Sequence, residues 1–364
     1  MNFYKRDDRK KFKRILSVII AALTALCMLL TGYIALLYVD IPFITPIRNV
    51  WIETAMTTHS HQWLATSFFP QWLIDELSAN TVYTEGITSI TQIQTPSPEP
   101  DKNTEPIDIL GQANLTVGGK DSLGNTVLVN DIEQGIVIVE VKGNQFVGKI
   151  LFVDDPSRIV VGSTNRKGVH GQLLCDLMKS NNAIAGINAS GFYDADGHGK
   201  GGQINGLCYS MGEIWGKRTK ETSVCFDKDN RLIVGALNDW DSANVRDGIQ
   251  FNHPVLIANG VQLMKTNKYN GSGYGIQPRT VIAQRADGVV MLMVVDGRQV
   301  GYSVGAKLGE CADILLAYGA VTAGACDGGS SSVMAYSGKV ITIPSTPMKD
   351  TGRYLPNAFL VTKK

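Results

Sequence analysis

The stretch GACDGGSSSVM, from Gly324 to Met334, sets a carboxylate, two glycines and three hydroxyls between apolar runs. A polar knot between buried segments brings backbone close to another segment or to a ligand. Three further knots interrupt the strands in a similar way. GINASGFYDADGHGKGGQINGL, from Gly186, offers Asn188, Gly191, Phe192, Tyr193 and Asp194. PRT places Arg279 at a strand entry behind Pro278, and VDGR closes a strand at Asp296, Gly297 and Arg298. Each alone has a structural reading, because Asp-Gly is a frequent turn and glycines make loops. Together they deliver Asp, Arg and Asn beside glycines at strand ends, where sites are commonly built.

Several chemistries are excluded by what these knots lack. GGSSS is not the G-x-S-x-G of a nucleophile elbow, and no P-loop pattern occurs. His170, His198 and His253 are scattered, without H-E-x-x-H. DADGHGKGG lacks the closing glutamate of a calcium loop, so a divalent cation there stays an open expectation. His59 and His61 are too few for a metal site. The net charge of +1 across 364 residues gives no basic balance directed at nucleic acid.

The elements that must hold these residues are mostly strands. GIVIVEVKG with FVGKILFVDD, SVCF with RLIVG, TVIAQ with VVMLMVV, and VMAY with VITI read as hairpins, and NAFLVT as a last strand. Two helices are expected, over 173–181 and over AKLGECADILLAYG, whose Leu308, Ala312, Leu315 and Leu316 share a face before Gly319. Many hairpins with few helices predict an α+β class, a strand-rich mixed or antiparallel sheet domain.

Ahead of that domain, Ile15 to Val39 carries no charge, and roughly 20 apolar residues cross a bilayer. The preceding YKRDDRKKFKR is basic, which predicts a cytoplasmic tail over 1–14, an uncleaved anchor over 15–39 and an extracytoplasmic remainder; a cleaved signal peptide is the rival reading, which fits less well because the apolar run is long and no A-x-A-like site follows it. Residues 40–80 read as a juxtamembrane helical segment resting its tryptophans near the headgroups, and 81–106 as a solvated linker. Residues 107–364 form the external domain. Cys27 falls in the span. Cys175, Cys208, Cys225, Cys311 and Cys326 read as small buried hydrophobes, with a Cys208–Cys225 disulfide on neighbouring strands as the open alternative.

Taken in order and spacing, NASGFYD from Asn188, PRTVI from Pro278, VDGRQ from Val295, DGGSSSVM from Asp327 and RYLPNAFLV from Arg353 resemble the phosphodiester glycosidase family. That family's signatures are N-G-G-F-F, P-R-T, V-D-G-R, D-G-G-G-S-S and R-x-x-x-N-A. Here one residue is inserted after Asn188, and Ser330 replaces a glycine. The resemblance implies removal of a sugar joined through its anomeric carbon to a phosphodiester, with no cofactor required. Arg279, with Arg298 as second choice, would meet the phosphate. The Asp327-Gly328-Gly329-Ser330 turn would form an anion nest, with the Ser330 and Ser331 hydroxyls as added donors. Asp327 and Asp296 are the expected carboxylate pair, with Asp194 in reserve. Asn188 and Asn357 would bind sugar hydroxyls, Phe192 or Tyr193 would stack on the ring, and Gly191 and Arg353 complete the motif set. The expected substrate is a cell-envelope polysaccharide or teichoic-acid-like phosphodiester. Two alternatives remain: a phosphodiesterase breaking the P–O bond, or a non-catalytic envelope carbohydrate-binding or exopolysaccharide assembly protein.

Overall fold

The computed structural model describes residues 4–42, 44–56, 62–79, 115–194, 199–219, 221–235, 244–251, 254–264 and 275–364. The expected linker at 81–106, the first residues of the 107–364 domain, and His59, His61, His198 and His253 lie outside the described residues. The chain divides into two compact units, Met1–Ser78 and Ala79–Lys364.

In the first unit α1 spans Tyr4–Tyr38, and its Lys11–Tyr38 portion is long and apolar enough to cross a membrane. The helix starts ahead of the apolar run because lysine and arginine are good helix formers. Three shorter helices follow, α2 (Ile44–Met56), α3 (Trp63–Thr66) and α4 (Gln71–Ala79). Arg48 donates to the Leu36 and Leu37 carbonyls at 2.7 and 3.1 Å, satisfying groups that the end of α1 leaves open. Ile52, Ala65, Phe69, Leu73 and Ile74 bury with Leu37, while Trp51, Trp63 and Trp72 stay exposed.

The second unit opens with β1 (Thr126–Asp131), β2 (Ile136–Lys142), β3 (Val147–Val153), β4 (Ile159–Ser163), α5 (Leu174–Ser180) and β5 (Ala183–Asn188). It continues with β6 (Leu207–Ser210), β7 (Glu213–Gly216), β8 (Ser223–Asp227), β9 (Leu232–Gly235), β10 (Val245–Gln250), β11 (Val255–Ala258) and β12 (Val261–Gln262). Last come β13 (Arg279–Arg285), β14 (Val290–Val295), α6 (Leu308–Ala317), β15 (Ala320–Ala325), β16 (Met334–Tyr336), β17 (Lys339–Val340) and β18 (Asn357–Thr362). One sheet has the order β1-β2-β3-β14-β13-β15-β11-β12, a second β7-β6-β10-β8-β9, a third β17-β16-β5-β18-β4. The ladders between these strands are antiparallel, and with the helices they give the α+β class the patterning predicts.

The central strands of the eight-stranded sheet are buried on both faces, which is why β14 (VMLMVV) reads as an unbroken apolar run. Val281, Ala283, Met291 and Met293 face α6. Ile282, Leu292 and Val294 face the other two sheets. Glu310 accepts from the Lys307 backbone N–H at 2.8 Å to open α6, and Gly319 closes it at φ +86.

One expectation is corrected by the register. Cys208 lies opposite Ile249, and Cys225 opposite Gly248, so β10 stands between the two cysteines. Two strand spacings are roughly 9–10 Å, beyond the ~7 Å that a disulfide tolerates between Cα atoms. Both thiols are free and buried.

Candidate active site

The ends of β5 and β15 and the starts of β13 and β18 converge, and Asn188 ties three of the segments there. Its amide donates to the Asp327 carbonyl at 2.6 Å. Its Oδ1 accepts from the Thr280 hydroxyl at 2.8 Å and the Val333 N–H at 3.1 Å. Asn357 does the same for the loop after β5, accepting from the Ser190 N–H and donating to the Ser190 hydroxyl at 2.8 and 2.9 Å. Both amides are fully buried and spend their hydrogen-bonding groups on the scaffold. Asn188→Ala leaves three buried polar groups unpaired, and is expected to lower unfolding stability by about 3 kcal/mol in a denaturant titration.

The glycine turn is held from both sides. Asp327 N–H donates to the Ala189 carbonyl and Gly329 N–H to the Pro278 carbonyl, each at 2.9 Å. Gly329 is left-handed at φ +62, and a Cβ there would sit 3.1 Å from the Arg298 guanidinium. The Gly328 N–H and the Ser331 hydroxyl are directed at the Asp327 carboxylate. Three N–H groups of the expected anion nest are therefore already engaged: those of Asp327 and Gly329 join neighbouring segments and that of Gly328 meets the carboxylate, so the glycines here serve close backbone approach.

Asp327 is half-buried and closely ringed by protein. Burial pushes its pKa up to about 6; Ser331, the Arg353 charge and the Gly328 N–H pull it down, and the Asp194 charge pushes it further up. Asp194 is thus the second carboxylate of the cluster. Its Oδ2 accepts from Arg353 at 2.7 Å and its Oδ1 from the Gly199 N–H. Arg353 also donates to the Gly199 carbonyl at 3.1 Å and lies 4.6 Å over the Phe192 ring. Phe192 is the platform for that guanidinium, while Tyr193 is 65% exposed. Gly191 packs under Phe251, whose ring a Cβ would meet at 2.1 Å.

Opposite this pair stands Arg298, in the left-handed region at φ +59. A non-glycine residue there is uncommon, and such residues cluster at functional sites. Its guanidinium makes long bonds to the Ser330 hydroxyl (3.2 Å) and Gln277 Oε1 (3.3 Å); the surrounding protein lowers its pKa, and the Asp327 charge opposes this. Arg298 is the exposed cation facing Asp327. Gln277 belongs with it, and its place directly before PRT is the signal that would have marked it.

Arg279 and Asp296 are placed elsewhere. Arg279 pairs in register with Val295 on the α6 face, is 4% exposed, and donates to the Ala306 carbonyl at 3.0 Å and to the Gly275 carbonyl. Asp296 accepts from the Ile343 N–H at 2.9 Å and from the Tyr302 hydroxyl at 3.0 Å, with Lys149 at 4.0 Å. Burial pushes the Asp296 carboxyl above its ordinary range, and Lys149 opposes this. Among the described residues no group of three or more His, Cys, Asp or Glu side chains is arranged to hold a metal ion.

Known proteins resemble this chain in sequence and in fold. It is 30% identical over 199 residues to the SPbeta prophage-derived uncharacterized protein YomE of Bacillus subtilis (strain 168), covering 51% of this chain and 29% of that relative. The chain therefore spans less than a third of the relative's length. Its fold is similar to the catalytic domain of zebrafish N-acetylglucosamine-1-phosphodiester alpha-N-acetylglucosaminidase auto-inhibited by its pro-peptide. The TM-score is 0.51 at 18% identity, over 68% of this chain and 87% of that one. A hypothetical protein from Synechocystis gives a TM-score of 0.49 at 16% identity, over 66% and 64%. The sequence profile of the phosphodiester glycosidases matches residues 181–362, half of the chain, which takes in Asn188, Asp194, Arg298, Asp327 and Arg353. The chain belongs to the phosphodiester glycosidase family.

Proposed function

We propose that the protein hydrolyses sugar-1-phosphodiesters, with cell-envelope glycans as its substrate class and α1 as its membrane anchor. The basic flank of α1 favours a cytoplasmic N-terminus and an extracytoplasmic second unit. The observation that carries the catalytic reading is the pairing of two carboxylates, Asp327 and Asp194, with two guanidiniums around one glycine turn.

Arg298 takes a non-bridging phosphate oxygen, because its guanidinium is exposed and only weakly bonded within the protein. Asp194 is held beside Asp327 by Arg353 and the Gly199 N–H. Asp327, mostly ionised at neutral pH, takes a proton from the water that attacks the anomeric carbon. The C–O bond to phosphate breaks and the electron pair leaves with the phosphomonoester. Because the base acts ionised, kcat/KM of the free enzyme is expected to rise with pH to a plateau, with a midpoint near 6.

Bond position gives the decisive test. The full chain in detergent is incubated with an N-acetylglucosamine-α-1-phosphodiester in water enriched in heavy oxygen. Heavy oxygen in the released sugar is the expected result. Label in phosphate would mean P–O cleavage and replace this reading with a phosphodiesterase. No turnover across a panel of sugars would favour the carbohydrate-binding reading.

A further inference from the structure

Away from the Asp327 turn lies a second polar cleft of about 780 Å³, between the strap that follows β4 and the β6–β7 hairpin. Ser163, Asn165, Arg166, Asn181, Met211 and Glu213 contribute to its walls. A cleft of this volume is in the range of ligand sites. Arg166 is exposed, and among the described residues its guanidinium enters no ion pair or side-chain hydrogen bond; only its backbone is engaged, the N–H donating to the Thr164 hydroxyl at 3.2 Å and the carbonyl accepting from the Val169 and His170 N–H groups at 3.0 Å. Beside it Lys167 pairs with Glu213, and its Nζ stands 6.0 Å from the Trp215 ring centroid. The Trp215 indole donates to the Ser163 hydroxyl at 3.2 Å.

The strap is also built into the site already described. Gly168 N–H donates to the Gly202 carbonyl at 2.7 Å and Gly171 N–H to the Lys200 carbonyl at 2.6 Å. Gln172 and Leu355 exchange backbone bonds at 2.9 and 2.8 Å, and His170 meets the Tyr354 ring edge-on at 4.4 Å. Residues 199–202 and 353–355 are the segments that hold Asp194 and carry Arg353. One strap therefore borders the cleft and braces the carboxylate pair.

We infer that this cleft is a second subsite, taking a phosphodiester-bearing repeat of a glycan whose neighbouring repeat occupies the Asp327 site. Hydroxyl and amide groups suit sugar hydroxyls, and an uncommitted guanidinium suits a phosphate oxygen. Val169 and Met211 add apolar surface, but hydroxyl, amide and charged side chains make up most of the lining, which favours a glycan over a lipid headgroup as the source of that phosphate. The inference rests on the glycosyl-phosphodiester reading, but its test does not require turnover.

The full chain carrying Asp327→Asn is placed in phosphatidylcholine nanodiscs, and binding is measured by calorimetry. The probes are a glycosylated poly(glycerol phosphate) and its single-repeat phosphodiester. Adding Arg166→Glu is expected to lower the ratio of polymer to single-repeat affinity about tenfold, or about 1.4 kcal/mol, and Arg166→Lys to restore most of it. An unchanged ratio, or no polymer binding by the parent, overturns the subsite. Phosphatidylglycerol vesicles bound as tightly, and released by the same variant, would also overturn it in favour of lipid. A polymer affinity that depends on Arg166 in a protein whose wild type hydrolyses nothing would uphold the subsite and sink the hydrolase reading alone.

Discussion

Asp327→Asn is expected to lower kcat about 10³-fold while making the folded protein more stable at pH 8. The first effect follows from removing the group that takes the proton at the anomeric centre, since positioned general bases contribute about 10²–10⁴-fold. The second follows from the direction of the pKa shift. In the folded protein this carboxyl is pushed up to about 6, against about 3.9 in an unfolded chain. The folded state therefore binds the proton more tightly, and the stability this supplies is complete below about pH 4. It is lost as pH rises through 6, because burial disfavours the ionised carboxylate. Asparagine cannot ionise, so the variant escapes that loss. It should gain about 2 kcal/mol at pH 8 and about nothing at pH 4, read from thermal unfolding at both pH values. A variant that loses activity together with stability at pH 8 would mean that Asp327 is part of the scaffold.

Arg353→Met should have the next largest effect, and it tests the identity of the second carboxylate. The substitution removes the 2.7 Å pair to Asp194, the stack on Phe192 and the positive charge that lowers the Asp327 pKa. We expect kcat/KM to fall about 10²-fold, in line with the loss of one preorganised electrostatic contact. The acid limb of the pH profile should move above 6. Stability should fall by about 2 kcal/mol, less than the 3–5 for a fully buried pair, because both side chains keep some solvent contact. Asp194→Asn should move the same limb the other way, since its charge now pushes the Asp327 pKa up. Opposite displacements would identify Asp327 as the titrating group and Asp194 as its neighbour. A limb that stays put in both variants would assign the titration to another residue.

Much of this molecule is legible locally. Hairpins such as β8–β9 and β13–β14 follow from apolar runs broken by DKDN and RADG, because a turn needs only a few adjacent residues. The glycine and asparagine spacing marks the regions around Asn188, Asp327 and Arg353 as unusual. The long apolar helix is evident from charge alone.

What each motif residue is used for is a different matter. Arg279 and Asp296 have the residue types of phosphate binder and acid, yet the sheet turns Arg279 toward α6 and closes Asp296 in with Tyr302, Ile343 and Lys149. Asn188 and Asn357 look like sugar ligands and are cross-braces. Successive side chains on a strand point to opposite faces, so the direction of a strand-end residue depends on where the sheet lies and what covers each face. That depends in turn on partners far along the chain: Asn188 reaches Asp327, and Asp194 reaches Arg353. The sequence by itself determined which residues of the chain carry chemistry, through local turn and strand patterns. Only the tertiary structure decided that Asp194 and Arg298, not Asp296 and Arg279, stand around Asp327, because strand register and long-range pairing set the face each side chain meets.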